Sequence, residues 1–250
     1  MHVNTGDNVG IGGFIITGNA SKHVLIRAIG PSLAQSGIPN PLADPVLELY
    51  HSGPTPIATN NNWKDTQEEA IKATGIAPVN DLESAIDITL SPGNYTAIVR
   101  GNNDGTGVAL VEVYDLDQMA GRLGNISTRA FVQTGADIAI AGFILGNHTG
   151  ADRLVLRGLG PSLASSGVKN PLSNPSLELR NGNGVLLVSN NDWRDDPVQA
   201  AKLIAVGLAP SDDRESAIAT TLPPGRYTAL LAGENDTIGI GLVEVYDLGQ

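Results

Sequence analysis

Apolar residues in this chain come in short, strand-length runs. Val9 to Ile16, Val24 to Ile29, Val46 to Tyr50, Ile57 to Thr59, Glu83 to Leu90, Tyr95 to Arg100 and Val108 to Tyr114 follow one another, separated by stretches rich in Gly, Pro, Asn and Asp. Ile138 to Leu145, Leu154 to Leu159, Ser176 to Arg180 and Val185 to Ser189 have the same character. Short strands with turn signals every 8 to 12 residues or so predict a β-sandwich or jelly roll, not a helix-crossed parallel sheet. One helical stretch interrupts each series. Thr66-Gln67-Glu68-Glu69 has the capping-box arrangement, and Asp196-Pro197-Val198-Gln199 repeats it with Pro at the first helical position. Gly75 and Gly207 then stand where a left-handed cap belongs, with Pro78 and Pro210 beyond. Leu203 and Ile204 have no counterparts in the first series, so the second helix is expected to be about two residues longer.

The two series are a duplication. Arg27-Ala28-Ile29-Gly30-Pro31-Ser32-Leu33 returns as Arg157-Gly158-Leu159-Gly160-Pro161-Ser162-Leu163. Leu47-Glu48-Leu49 matches Leu177-Glu178-Leu179, Trp63 matches Trp193, and Glu83-Ser84-Ala85-Ile86 matches Glu215-Ser216-Ala217-Ile218. Val111-Glu112-Val113-Tyr114-Asp115-Leu116 closes the first copy as Val243-Glu244-Val245-Tyr246-Asp247-Leu248 closes the second. The expected organisation is a first domain over 1–118, a linker and lead-in strand over 119–130, and a second domain over 131–250, each of a size able to bury its own core. Asn125, Ile126, Ser127, Thr128 and Arg129 read as an extra strand entering the second copy. Met1 to Gly6 aligns with Ala130 to Gly135, so the residues matching Asn125 to Arg129 would lie before Met1. The leading expectation is a longer natural unit trimmed to leave a frayed edge, and the alternative is strand donation or head-to-tail assembly.

Composition narrows the classes. Charged residues make up 16% of the chain, the formal charge is −11, and there are 30 Gly and 15 Pro. Nucleic-acid binding needs a basic footprint that is missing. No apolar run approaches a membrane span, no signal-peptide pattern opens at Met1, and the absence of cysteine excludes disulfides, thiol catalysis and thiolate metal sites.

The Gly-Pro-Ser-Leu turn, the Leu-Glu-Leu strand, the Asn-Asn-Asn-Trp or Asn-Asn-Asp-Trp loop, the Glu-Ser-Ala-Ile strand, the Pro-Gly-x-Tyr-Thr-Ala turn and the Asn-Ile-Ser-Thr-Arg junction together resemble tandem modules of large secreted proteins from environmental bacteria. From Leu47 to Asp115 the chain is also similar to the bacterial pre-peptidase C-terminal type of β-sandwich. That second resemblance implies a non-catalytic accessory sandwich, sometimes calcium-binding or carbohydrate-associated. The helix and the Gly-Pro-Ser-Leu turn depart from it.

The chemistry on offer is limited. The four histidines, His2, His23, His51 and His148, have no histidine at the matching position of the other copy, and Ser32 and Ser162 lie in a Gly-Pro-Ser turn without a nucleophile elbow, so a serine triad is disfavoured. Asn61, Asn62, Asp65, Asp81 and Glu83, and Asn191, Asp192, Asp195, Asp213 and Glu215, offer oxygen ligands of the kind Ca2+ takes; the competing reading is turn-forming residues and a helix cap. Trp63 and Trp193 are either sugar-stacking platforms or plugs beneath the helices. Arg27 and Arg157 sit on otherwise apolar strands and need carboxylate partners, with Glu48 and Glu178 or Glu112 and Glu244 as the candidates.

The sequence thus leads to an expectation of two tandem, homologous, all-β sandwich domains, each with one short helix. The expected role is non-enzymatic: an extracellular or cell-surface structural or adhesive module that partners itself or a glycan. The alternatives are a carbohydrate-binding module and a hydrolase with an acidic site.

Overall fold

The computed structural model describes residues 1–6, 8–117, 121–135, 137–146 and 149–249. The chain divides into two compact units, Met1–Gly124 and Asn125–Gln250. The protein is mainly antiparallel β-sheet.

In the first unit the strands are β1 His2–Val3, β2 Gly10–Thr17, β3 Lys22–Ile29, β4 Pro45–Tyr50, β5 Pro56–Asn60, β6 Ser84–Leu90, β7 Gly93–Gly101, β8 Gly107–Val108 and β9 Leu110–Asp115, with one helix, α1, at Glu68–Ala73. One sheet runs β2-β7-β4-β5 and another β6-β3-β9, while β1 pairs with β8. Strand β7 shows why the first sheet has two unlike faces. Tyr95, Ala97 and Val99 are buried and alternate with Thr96, Ile98 and Arg100, the period of a pleated strand with one face in the core. Strand β3 breaks that alternation, because Val24, Leu25, Ile26 and Ala28 are all fully buried. Both of its faces are covered, and Leu25 packs with Trp63, Ile71 of α1 and Ala85 of β6. A continuous apolar run is what such a strand requires.

The second unit repeats the plan with β10 Arg122–Val132, β11 Ala139–Leu145, β12 Asp152–Leu159, β13 Pro175–Asn181, β14 Leu186–Asn190, β15 Ser216–Leu222, β16 Gly225–Gly233, β17 Gly239–Asp247 and the helix α2 at Pro197–Ala205. Its sheets run β11-β16-β13-β14 and β15-β12-β17-β10. Val155, Trp193, Leu203 of α2 and Ala217 form the layer that matches the one around Leu25.

Several boundaries differ from expectation. The division falls inside β10, after Gly124, and the lead-in strand expected at Asn125 to Arg129 begins earlier, at Arg122; its first residues serve the first unit, where Thr17 Oγ1 donates to the Arg122 carbonyl at 3.4 Å. Gln118, Met119 and Ala120 lie outside the described residues, as do Asn147 and His148. The single strand expected over Val108 to Tyr114 is split into β8 and β9. Helix α2 has nine residues against six in α1. Part of that difference is the cap. Asp196 accepts from the Val198 and Gln199 amides, whereas the position before α1 is Gln67, with no side-chain cap, so Thr66 does not form the expected capping box. Gln67 instead exchanges two hydrogen bonds with the backbone of Asp87 on β6.

Candidate functional site

The Gly-Pro-Ser-Leu turns, which the sequence presents without a shape, are single 3-10 helices at Pro31–Ser36 and Pro161–Ser166, closed by Gly37 and Gly167 at φ 76° and 81°. Each begins where the backbone passes very close to another segment. A Cβ on Gly30 would lie 2.2 Å from the Leu42 carbonyl oxygen, and one on Gly160 would lie 2.1 Å from that of Leu172, so only glycine fits. The donors at the start of these turns are met by a buried acid from far along the chain. Glu83 Oε1 accepts from the Gly30 amide at 3.2 Å, the Ser32 amide at 3.0 Å and the Ser32 hydroxyl. Glu215 Oε1 does the same with Gly160 at 2.9 Å, Ser162 N at 3.0 Å and Ser162 Oγ at 2.5 Å. Both glutamates are 0% exposed. A buried carboxyl group needs hydrogen-bond partners; Glu83 Oε2 also accepts from the Asn80 amide at 3.2 Å, whereas Glu215 Oε2 has no partner among the described residues.

The same acids anchor the tryptophan loops. The Glu83 carbonyl accepts from the Trp63 amide at 2.9 Å, and the Glu215 carbonyl from the Trp193 amide at 2.9 Å. Asn60 Oδ1 takes the Ala85 amide and Asn190 Oδ1 the Ala217 amide, at 2.9 and 2.8 Å. Ser84 Oγ reaches the carbonyls of Pro45 and Asn61. Turn, loop and strand are thereby locked into one buried polar hub per unit.

A second cluster lies on β3 and β9. Arg27 Nε donates to Glu112 Oε2 at 2.9 Å, Arg27 Nη2 to the Tyr114 hydroxyl at 3.0 Å, and that hydroxyl to Glu112 Oε1 at 2.8 Å. The second unit repeats these contacts with Arg157, Glu244 and Tyr246 at 2.8, 3.1 and 3.0 Å. The guanidinium also reaches the chain beyond the helix, at the carbonyl of Ile76 or Leu208. Burial first, and then the adjacent glutamate, pushes the phenols of Tyr114 and Tyr246 above their ordinary value. Glu48 and Glu178 are not the partners of these arginines. They point outward between buried leucines on β4 and β13, where Tyr50 and Arg100 bond Glu48 and Arg180 bonds Glu178. Tyr95 and Tyr227 close corners by donating to the carbonyls of Ser91 and Pro223.

Other sequence candidates are placed apart. Trp63 and Trp193 are 4% and 2% exposed, with their indole N–H groups bonded to the carbonyls of Asn80 and Asp212. Lys64 Nζ and the Arg194 guanidinium lie over the rings at 5.2 and 4.4 Å. A sugar-stacking face is therefore absent at either tryptophan. The proposed calcium shell does not assemble as a set, because Glu83 and Glu215 are consumed by the turns. Asp81 and Asp213 do not share a strand face with them; they lie in exposed ion pairs with Lys64 at 2.5 Å and Arg194 at 2.7 Å. Asp65 accepts from Asn62 Nδ2 at 3.1 Å, and the Asp195 amide donates to the Asp192 carbonyl at 3.0 Å. Among the described residues, no group of three or more His, Asp or Glu side chains is placed to hold a metal ion. The hydroxyls of Ser32 and Ser162 donate hydrogen bonds to glutamate, while His23 pairs with Asp87 and His51 stacks on Tyr95. Asn125 to Arg129 pair with β17, and Asn125 Nδ2 donates to the Val245 carbonyl at 3.2 Å.

No described helix is long and apolar enough to cross a membrane. No family of known proteins and no curated protein matches the sequence. Among solved structures, the chain is similar to the STIV MCP at 12% identity and a TM-score of 0.27, over 99% of this chain and 93% of that one. Sulfolobus Turreted Icosahedral Virus gives 13% and 0.27, over 99% and 85%; PNGF-II gives 13% and 0.23, over 99% and 57%. TM-scores this low carry no argument about fold or function.

Proposed function

We propose that the chain is a non-enzymatic structural module acting outside the cell or at its surface, built from two homologous β-sandwich units of jelly-roll type and working as a spacer or assembly unit within a larger array. One observation carries this reading. The polar side chains that recur at matching positions of both units, above all Glu83 and Glu215, are buried and spent on holding turns and strands together. A catalytic group needs access to substrate and a proton-transfer partner. Sedimentation velocity over a concentration series, combined with a glycan array, tests the proposal. Concentration-dependent growth without a glycan signal is the expected result; a monomer at every concentration that binds a glycan saturably would overturn it.

A second reading, calcium binding ahead of each helix, is favoured by a separate observation. The side-chain Oδ1 atoms of Asn61 and Asn62, and of Asn191 and Asp192, are buried at matching positions without a hydrogen-bond partner among the described residues. Calcium added to chelator-treated protein should raise the melting temperature by mass action on the folded state. An unchanged melting temperature would remove this reading.

A further inference from the structure

The two units differ most along one sheet edge. In the second unit β17 is unbroken and paired on both sides, with β12 along one edge and β10 along the other. In the first unit the corresponding strand is interrupted at Ala109, and β9 is paired with β3 alone among the described residues.

The register shows what would lie on the other side of β9. His2↔Val108 and Val3↔Gly107 repeat Phe131↔Ile240 and Val132↔Gly239. One step further, the Met1 amino group donates to the Ala109 carbonyl at 3.0 Å and the Ala109 amide donates to the Met1 carbonyl at 2.9 Å, so this pair stands for Ala130↔Gly241. Beyond it, Leu242, Val243, Glu244, Val245 and Tyr246 are opposite Arg129, Thr128, Ser127, Ile126 and Asn125. Leu110, Val111, Glu112, Val113 and Tyr114 occupy the equivalent positions in the first unit, with no strand opposite them among the described residues.

Burial follows the pairing. Val243 and Val245 are 0% and 4% exposed, whereas Val111 and Val113 are both partly open and Leu110 is 41% exposed. An unpaired edge of β-branched residues is a template for another strand.

We propose that the Leu110–Tyr114 edge is an acceptor site for an antiparallel strand, and that its occupant is an extended segment with the Asn-Ile-Ser-Thr-Arg pattern of residues 125–129, carried by another repeat of the same kind. This rests on the assembly reading above and names its contact. The second unit supplies the chemistry. Ile126 and Thr128 share a face with Val245 and Val243, where two β-branched residues lie opposite two more. The asparagine of the incoming segment would turn its side-chain amide to the Val113 carbonyl, as Asn125 of β10, 5% exposed where it pairs with β17, does to that of Val245. The incoming strand ends where Met1 already pairs with Ala109, which fixes its register and direction.

The test uses the full chain with Asn-Ile-Ser-Thr-Arg joined directly before Met1, beside a chain carrying the same five residues in scrambled order. Amide hydrogen exchange at Leu110 to Tyr114 is expected to slow by about tenfold or more with the native order, with β17 unchanged and the scrambled extension without effect. Equal exchange in all three chains would overturn the acceptor site. Sedimentation velocity on the same proteins separates this outcome from failure of the assembly reading. If the unextended chain associates and the native extension abolishes that association, the edge is the contact. If association persists undiminished, assembly stands but this edge is not its route. Slowed exchange in a chain that stays monomeric would support the acceptor site and count against self-assembly.

Discussion

The two units keep some features closely and let others drift, and the division follows energetic cost. The hub around Glu83 and the hub around Glu215 place the same donors on the same oxygen, with the amide of Ser32 at 3.0 Å in one and that of Ser162 at 3.0 Å in the other. The Arg27 and Arg157 clusters match equally well. By contrast, helix length, helix cap and strand coverage at β9 and β17 all differ. The match is to the turn-holding oxygen and not to every contact, since Glu83 Oε2 also accepts from the Asn80 amide whereas Glu215 Oε2 has no partner among the described residues. Stranding the buried donors of the turn is costly, whereas a solvent-facing cap or a sheet edge changes stability by increments the unit can absorb.

The sharpest way to break the comparison is to remove the hub acids. Glu83→Ala and Glu215→Ala should each cost roughly 3 kcal/mol or more, since each strands several buried donors. Urea denaturation followed by tryptophan fluorescence, in backgrounds where Trp63 or Trp193 alone remains, checks this; clearly unequal losses would mean the hubs are not equivalent. A smaller effect should distinguish the edges. Val245→Ala, at a covered position, should cost about 2 kcal/mol, whereas Val113→Ala should cost less than about 1 kcal/mol, because less surface leaves water there on folding. Equal midpoints for the two variants would contradict the open edge.

The smallest effect concerns Asp192, where the first unit has Asn62. Burial first, then Asp195 and Asp213, hold the Asp192 carboxyl above the ordinary carboxylate value. The folded state therefore disfavours its charge at neutral pH, and this penalty is relieved as pH falls through the raised value. Asp192→Asn should stabilise the second unit at pH 7 by no more than about 0.5 kcal/mol. The gain should vanish once the pH is below the unfolded-state value; thermal melts at both pH values measure it.

Much of this architecture was legible because the chain states it twice. Matching runs gave the strands, and Gly75 and Gly207 do take left-handed conformations at φ 73° and 71°. The alignment of Met1 to Gly6 with Ala130 to Gly135 agrees with the register, in which His2↔Val108 and Val3↔Gly107 repeat Phe131↔Ile240 and Val132↔Gly239. What stayed hidden depends on contacts distant in sequence. Asp81 and Glu83 alternate by two and read as neighbours on a strand face, yet β6 begins only at Ser84, and Glu83 sits in a turn whose amide bonds Asn80. Its carboxylate consequently faces a segment about fifty positions earlier. Trp63 and Trp193, in polar surroundings by sequence, are carried inward because those polar neighbours bond backbone instead of water. Choosing between Glu48 and Glu112 as the partner of Arg27 likewise required knowing which strand lies beside β3.

The hub also bears on how fast a chain folds. Glu83 reaches donors 51 and 53 positions away, Glu215 reaches donors 53 and 55 positions away, and the Arg27 and Arg157 clusters close over 85 and 87 positions. Loop-closure entropy must be met before any of these contacts repays it, so each unit belongs to the slow class that folds over roughly milliseconds to seconds. At a given stability a slowly folding unit also unfolds slowly, so contacts this far apart go with a long-lived native state more than with a quickly formed one.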